Sequence, residues 1–263
     1  MSFYAPVVGE NTLNVLSSPA GTQLGVVAGN GDQITLGSRA PNLGGTVDGI
    51  RGHILLGPVV VNGGATVIVD DSGNAGTARD VRITSSETLG TVYGRIDGLT
   101  PGGITFQDLD EWTVNIRGGA ANDRFQMSGP PLVTTVDIDG GAGNDVLVGS
   151  GGNILRGGVG RDLLIAGAVA SQLFGGGDDD LLLGGTTVHD QNPTNLSAIM
   201  AEWTSGAEYE TRVQNLRNGL LGTGAVTTNG GQNTLFGEND RDFFFASLLD
   251  QNDGNHDELF VWL

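Results

Sequence analysis

The sequence predicts an all-β protein: a right-handed parallel β-helix or β-roll solenoid with a short inserted two-helix segment near the C-terminus. Three observations lead to this prediction. Glycine accounts for 46 of the 263 residues, more than twice the usual share of about 7%. Between residues 140 and 183, a glycine cluster followed by a short apolar triplet recurs about every nine residues. Residues 193–218 instead carry apolar side chains at helical spacing.

Residues 1–117 predict irregular solenoid coils. Turn residues alternate here with β-branched runs, as in "GNGDQITLG" (Gly29–Gly37) and "GHILLGPVVVNGG" (Gly52–Gly64). Short apolar runs bounded by such turn residues are typical of strands. The spacing is looser than it is downstream, so we expect coils of about 20–35 residues in one elongated stack rather than a separate globular domain.

Residues 118–186 predict a β-roll made of nonapeptides. The frame is G-G-x-G-x-D-x-U-x, where U is a large apolar residue, and the blocks at Gly140 and Gly157 fit it fully. Glycine allows the positive φ of a tight turn, and the triplet after each turn is a short strand whose middle residue points inward. The predicted inward residues are Leu147, Leu155, Leu164, Leu173, Leu182, Leu235 and Phe244.

Acidic residues recur only in every second block. If two blocks form one coil, alternate blocks stack on the same edge, about 4.8 Å apart. Five blocks follow one another, beginning at Gly140, Gly149, Gly157, Ala166 and Gly175. The odd-numbered blocks carry an aspartate at the sixth position of the frame. Asn153 and Ser171 replace it in the even-numbered blocks. The predicted metal ligands therefore form one column on one edge: Asp123, Asp145, Asp162, Asp180 and Asp242.

Stacked carboxylates need a counter-charge. At an effective dielectric constant near 20, two of them about 5 Å apart repel by about 3 kcal/mol. Calcium takes about 6–8 oxygen ligands, so two carboxylates and the turn carbonyls suit it better than they suit magnesium. We expect calcium on the aspartate edge and none on the edge of Asn153 and Ser171. Asp178 and Asp240 replace the fourth-position glycine and Glu238 replaces the second, so we expect some sites to be distorted.

Residues 187–227 predict a helical insertion, after which residues 228–246 resume the coils and residues 247–263 form a C-terminal tail. Asn192 and Pro193 suit the N-cap and first turn of one helix. "SGAE" (Ser205–Glu208) has the pattern of a capping box for a second helix, and Gly219 stands where that helix should end.

The strands of the odd-numbered blocks are apolar at both positions that flank the inward residue, as in "VLV" and "LLL". A sheet whose strands are apolar on both faces is covered on both sides. We therefore expect the helices to cover this sheet through Leu196, Met200, Trp203 and Tyr209. The alternative is that the same face is an oligomer or partner interface.

Composition excludes several function classes. The chain has 12 basic and 30 acidic residues, a net charge of −18, and no lysine, so a basic patch for nucleic acid is not expected. Without cysteine it has neither disulfides nor thiolate metal sites. No apolar run reaches the ~20 residues that cross a membrane, so we expect no membrane insertion. The start, "MSFYAPVVGE", lacks the basic and apolar regions of a signal peptide.

The nonapeptides at Gly118–Leu183 and Asn229–Ala246 resemble those of bacterial RTX-type (haemolysin-type) calcium-binding repeat proteins. The helical stretch Leu196–Gly219 resembles a segment near the C-terminus of many secreted or surface repeat proteins. The resemblance implies a calcium-loaded parallel β-roll with an adhesion, scaffold or export role, outside the cell or at its surface. It also implies type I secretion, whose C-terminal signal Glu258–Leu263 resembles, and a surface glycan or protein as a partner besides calcium.

The sequence does not predict an enzyme. His53, His189 and His256 are isolated, so each is expected to be a solvated loop residue. Neither a G-x-S-x-G elbow nor a phosphate-binding Walker loop is present. No catalytic residue is therefore proposed from the sequence.

One alternative stays open: a carbohydrate-active β-helix enzyme, such as a polysaccharide lyase or an epimerase. Arg79, Arg82 and Arg95 are its candidate basic group. The acidic pairs Asp70/Asp71 and Asp108/Asp110 are more simply explained by turn or calcium roles. Arginines gathered beside acids in one groove would favour the enzyme, and scattered arginines would oppose it.

Overall fold

A computed structural model describes residues 2–4, 10–29, 31–58, 64–254 and 258–263. The chain is mostly β, with two long sheets whose strands pair mainly in parallel, and with two helices. In chain order the elements are β1 (Ser2–Tyr4), β2 (Thr12–Val15), β3 (Gln23–Ala28), β4 (Asp32–Leu36), β5 (His53–Pro58), β6 (Ala65–Asp70), β7 (Asp80–Thr88), β8 (Thr91–Asp97), β9 (Ile104–Gln107), β10 (Thr113–Arg117), β11 (Arg124–Ser128), β12 (Thr135–Ala142), β13 (Val146–Val148), β14 (Ile154–Val159), β15 (Leu163–Ile165), β16 (Gln172–Gly177), β17 (Leu181–Leu183), β18 (Gly185–Thr187), α1 (Pro193–Trp203), α2 (Tyr209–Asn218), β19 (Val226–Thr228), β20 (Thr234–Glu238), β21 (Phe243–Ala246), β22 (Gln251–Asn252) and β23 (Leu259–Trp262).

The strands alternate between the two sheets along the regular repeat. The twelve-stranded sheet has the order β1-β3-β5-β9-β8-β7-β11-β13-β15-β17-β21-β23, and the nine-stranded sheet has the order β2-β4-β6-β10-β12-β14-β16-β20-β22. Leu147 pairs with Leu164, 17 residues on, and Leu164 pairs with Leu182, 18 residues on. Two blocks therefore separate neighbouring strands of one sheet, as the sequence predicts.

The residues predicted to point inward form the core between the sheets. All seven are fully buried in one apolar cluster that takes side chains from both sheets. Fully burying one Leu or Phe side chain contributes roughly 1.5–3 kcal/mol. The U position of the nonapeptide is thus the position that stabilises the strand stack.

The two helices cover the twelve-stranded sheet, as the apolar outer positions predict. Val148, Ile165 and Leu183 share a second buried cluster with residues of α1 and α2. Trp203 lies deepest in it, with its ring centroid 6.3 Å from that of Phe243. Leu196, Met200 and Tyr209, the other predicted contact residues, belong to the same cluster.

The helix ends agree with the sequence at Asn192, Pro193 and Gly219. The side chain of Asn192 accepts a hydrogen bond from Asn195 N, and α2 ends at Gly219. The predicted capping box is wrong, because Glu208 is the N-cap of α2 and makes no side-chain capping bond. Ser205 lies in the turn between the helices and bonds Ala207 N at 3.4 Å. Tyr209, the first residue of α2, packs against Trp203, with the two ring centroids 5.9 Å apart.

The prediction of parallel coils throughout is also wrong at one place. Strands β7 and β8 form an antiparallel hairpin, and β8 pairs antiparallel with β9 as well. The two-residue loop has φ of 52° at Leu89 and 79° at Gly90. Such loops usually carry Asn-Gly, so Leu-Gly gives little sequence signal. Within the described residues, no helix is both long and apolar enough to cross a membrane.

Candidate metal centre

The five predicted aspartates stand in one column, each directly before a strand of the twelve-stranded sheet. The backbone N–H of each donates to Oδ1 of the next, so that every carboxylate accepts from the coil before it. These bonds measure 2.6 Å for Asp123 to Asp145 and for Asp145 to Asp162, and 2.7 Å for the two that follow. We call this column the aspartate ladder. Its last step joins Asp180 to Asp242.

The second carboxylate oxygen of four rungs has no partner. Oδ2 is buried and makes no hydrogen bond in these four rungs, whose side chains are fully buried. A buried polar atom without a partner is rare in proteins and calls for an explanation. The four are Asp145, Asp162, Asp180 and Asp242.

Each of these oxygens packs closely against a glycine. A Cβ built on the first glycine of each block would collide with Oδ2 of that block's aspartate, as at Gly140 with Asp145. The same Cβ position at Gly140 lies 2.7 Å from the carbonyl oxygen of Gly157 in the next coil. Gly157 and Gly175 repeat this arrangement, at 2.6 Å and 2.9 Å from the next carbonyl oxygen. The carboxylate oxygen and the carbonyl oxygen of the next block thus lie close to the same glycine.

Burial makes the ionised form of these side chains unfavourable. It raises the pKa of Asp145 and of Asp242 to about 8 and that of Asp162 to about 9, and it raises the pKa of Asp180 well above its usual range. Neighbouring carboxylates raise the pKa of these groups further. Near neutral pH the ladder therefore needs either protons or a cation.

Asp123 differs from the other rungs. Its Oδ1 accepts the N–H of Arg79 at 2.7 Å, and its Oδ2 accepts the N–H of Gly119 at 3.3 Å. Arg79 precedes β7 and occupies the next rung position, where its guanidinium bonds Asp71 and Asp48. At this end of the ladder a protein cation balances the buried carboxylate of Asp71. The structure places Asp123 in the predicted column without an unpaired oxygen.

Amides, a hydroxyl and one acid line the opposite edge. Asn153 N donates to Ser171 Oγ at 3.2 Å, Ser171 N to Asn233 Oδ1 at 3.0 Å, and Asn233 N to Asp250 Oδ1 at 2.8 Å. The sequence reasoning missed Asp250, which it placed in a tail. Its distance of 17 residues from Asn233, one coil, was the signal that pointed to it.

Three acidic residues replace glycines of the nonapeptide frame on the outer side of the aspartate edge. Asp178, Glu238 and Asp240 keep the positive φ of the glycines they replace, at 72°, 75° and 69°. A residue with a Cβ pays roughly 1–2 kcal/mol for this conformation. The turns therefore keep their shape at a local cost in stability.

The candidate basic residues lie at two separate places. Arg79 bonds Asp71 at a turn. Arg82 and Arg95 lie on neighbouring strands of the β7–β8 hairpin, where both are exposed; Arg95 pairs with Asp97, which stands opposite Arg82 in the strand register. Asp108 accepts the N–H groups of Val133 and Thr134 and so fixes a turn.

Asp70 and Asp71 also stabilise turns: their carboxylates accept hydrogen bonds from the N–H groups of Gly45 and Val47, respectively. His256 lies outside the described residues. His53 is not a loop residue, because it begins β5. His189 lies in a loop, as expected, but it is half-buried, with Nε2 2.8 Å from Leu220 O.

Among the described residues, no three His, Cys, Asp or Glu side chains converge on one point as a metal cluster. An ion between two rungs would instead be held by two carboxylates together with backbone carbonyl oxygens. Comparisons with family models, with curated proteins and with solved structures find no significant match to this chain.

Proposed function

We propose that this chain is a calcium-binding β-solenoid of the β-roll type, in which calcium ions between the rungs of the aspartate ladder stabilise the stacked turns. The observation that carries the proposal is the set of four buried Oδ2 atoms without a partner. The alternation of strands between two sheets, with a constant register, supports the solenoid.

Three positions along the ladder fit an ion. The first step lies between Asp145 and Asp162, the second between Asp162 and Asp180, and the last between Asp180 and Asp242. Each combines unpaired carboxylate oxygen with the carbonyl oxygen of a first-position glycine. These are the hard oxygen ligands that calcium takes. A bound ion would supply the positive charge that lets neighbouring carboxylates ionise together.

The chain's own residues prepare these positions. Oδ1 of each rung is fixed by an N–H of the preceding coil, so the carboxylate cannot rotate freely. The first glycine of each block lets Oδ2 approach the backbone closely, because a Cβ there would collide with it. The role that follows is structural, and the separate engagement of Arg79 and Arg95 supports a scaffold rather than a carbohydrate-active enzyme.

A location outside the cell or at its surface suits such a scaffold. Extracellular calcium modules have dissociation constants of about 10⁻⁴–10⁻³ M, so weak sites fill only after export. The net charge of −18 disfavours folding until cations are bound. We extend the proposal to type I secretion, and to a surface glycan or protein as the partner of the folded stack.

Calorimetric titration of the chelator-treated full chain with calcium tests the proposal. We expect about three sites per chain, a higher melting temperature in calcium than in chelator, and weaker binding of magnesium because of its stricter octahedral geometry. The absence of binding heat, together with identical melting in calcium and in chelator, would refute the proposal. That result would leave protons as the charge that balances the ladder.

A further inference from the structure

We infer that the helical insertion and the last step of the ladder are coupled: docking of the helices strengthens cation binding between Asp180 and Asp242, and a cation there holds the helices in place. This inference rests on the proposed calcium ladder and assigns a regulation to one of its steps. Helical insertion here means residues 187–227, which contain α1 and α2.

The path of the chain sets the last step apart. Bonded rungs are separated by 22, 17 and 18 residues along the earlier part of the ladder, but by 62 residues at the last step. The extra length is the insertion, whose base is closed by the antiparallel pair β18 and β19. Closing a longer loop costs more chain entropy. Asp242 can therefore stand beside Asp180 only after the ends of the insertion have come together.

The insertion bonds the turn that ends in Asp180. The indole Nε1 of Trp203 donates to the carbonyl oxygen of Asp179 at 2.8 Å. The guanidinium of Arg212 bonds the carboxylate of Asp179 and also donates to the carbonyl oxygen of Trp203 at 2.8 Å. Arg212 is only 2% exposed and lies over the Trp203 ring. Breaking this contact would leave a buried charge unpaired, which makes it costly to undo.

The insertion also bonds the turn that ends in Asp242. The hydroxyl of Tyr209 donates to the carbonyl oxygen of Asp242 at 2.6 Å and accepts the N–H of Leu259 at 3.2 Å. Arg241, the residue before Asp242, lies over the Tyr209 ring at 4.1 Å and bonds Glu210 at 2.7 Å. The turn at Asp162 is joined more loosely, through Arg161 Nη1 and the carbonyl oxygen of Ser205 at 3.2 Å.

Both turns that border the last step are thus positioned by the same two helices. A cation at that step would draw the same two turns together. Two events that stabilise one arrangement favour each other, and the coupling is equal in both directions. The first step, between Asp145 and Asp162, is joined to the insertion more loosely, through Arg161 and Ser205, which makes it an internal reference.

Tyr209→Phe tests the coupling from the side of the helices. The change removes the hydroxyl bonds to Asp242 and Leu259 and keeps the aromatic ring. Calcium titration of the full chain should show one site weakened by roughly fivefold, the low end of usual coupling, with the others unchanged. Tyr93→Phe, on the β7–β8 hairpin, is the matched control and should bind calcium as the wild type does.

Trypsin tests the coupling from the side of the ladder, because Arg217 is an exposed site on α2. We expect cleavage after Arg217 to be several-fold faster in Asp242→Asn than in Asp145→Asn in calcium, since only the former disturbs the last step. Equal cleavage of these two variants, or a Tyr209→Phe chain that binds calcium like Tyr93→Phe, would overturn the inference while the calcium proposal stands. A wild-type chain that binds no calcium would overturn both.

Discussion

The two edges of the strand stack meet the same need with different side chains. On both, the residue before each strand accepts a hydrogen bond from the N–H of the preceding rung. An asparagine in that place can also donate: Asn233 Nδ2 bonds the carbonyl oxygen of Gly184 at 3.1 Å and Oδ1 of Asp250 at 2.8 Å. A carboxylate cannot donate, so Asp162 and three other rungs keep one oxygen unpaired.

The difference shows what an aspartate ladder gains and costs. Amide side chains in such a column can form all of their hydrogen bonds with protein groups. Carboxylates in the same place need an added proton or cation as well, because leaving a buried charge unpaired costs much free energy. We therefore propose that the aspartate edge responds to protons and cations, and that the opposite edge, with Asn153, Ser171 and Asn233, is the passive one.

The largest expected effect is that of pH in chelator. The folded pKa values of about 8 to 9 at Asp145, Asp162 and Asp242 lie above the unfolded value of about 3.9. The folded chain then holds more protons, so its stability should be greatest in acid and should fall as the pH rises from about 4 to about 9. Each such group lowers the free energy of unfolding as the pH rises through that window.

Urea unfolding at a series of pH values, with and without calcium, measures this dependence. Calcium should flatten it, because the ion binds the deprotonated carboxylates and replaces their protons. Stability that rises with pH in chelator would contradict the buried, proton-binding ladder. The same profile in both buffers would show that the aspartate edge does not respond to calcium.

Asp162→Asn should have the next largest effect, because Asp162 borders both the first and the second step. A saturated site contributes about 2.7 kcal/mol at 100 times its dissociation constant, so we expect a loss of about 3–5 kcal/mol in calcium. In chelator the same change removes a like charge and should cost little. Equal losses in both buffers, measured by urea unfolding, would mean that the carboxylate serves only as a hydrogen-bond acceptor.

Asn153→Asp is the matched change on the passive edge. Asn153 Oδ1 accepts the N–H groups of Ser150 and Gly151 at 3.0 Å, and aspartate can keep both bonds. The next residue along this edge is Ser171, so a calcium ion there would lack a second carboxylate ligand. We expect a loss of about 2–3 kcal/mol from burying the charge, the same with and without calcium. A variant that gains a calcium site would show that the two edges differ only in composition.

Asp178→Gly should have the smallest effect, and a favourable one. The change restores the glycine of the frame at a φ of 72° and removes a charge that raises the pKa of Asp162 and Asp180. We expect a gain of about 0.5–1 kcal/mol, since relief of strain is partly offset by the entropy of glycine in the unfolded chain. The reverse change in the neighbouring coil, Gly160→Asp, should destabilise. A loss of stability in Asp178→Gly would mean that this acid has a role of its own.

Local patterns in the sequence determined much of this structure. The nonapeptide frame identified the inward residues, the ladder of Asp145, Asp162, Asp180 and Asp242, and the apolar face that the helices cover. Such signals are readable because the period of a repeat sets both its backbone geometry and the direction of its side chains. Asn192 and Gly219 were readable for a similar reason, since helix ends use few residue types.

Only the tertiary structure decided which polar atoms are satisfied. The backbone N–H of Arg79 bonds Asp123 from 44 residues away, while Asp250 extends the opposite edge from beyond the insertion. The β7–β8 hairpin turns at Leu89, where the residue type gives no hint. Helix α2 begins at Tyr209, with Glu208 rather than Ser205 as its N-cap. Hydrogen bonds between distant segments have no sequence period, so only the folded chain reveals which carboxylates lack a partner.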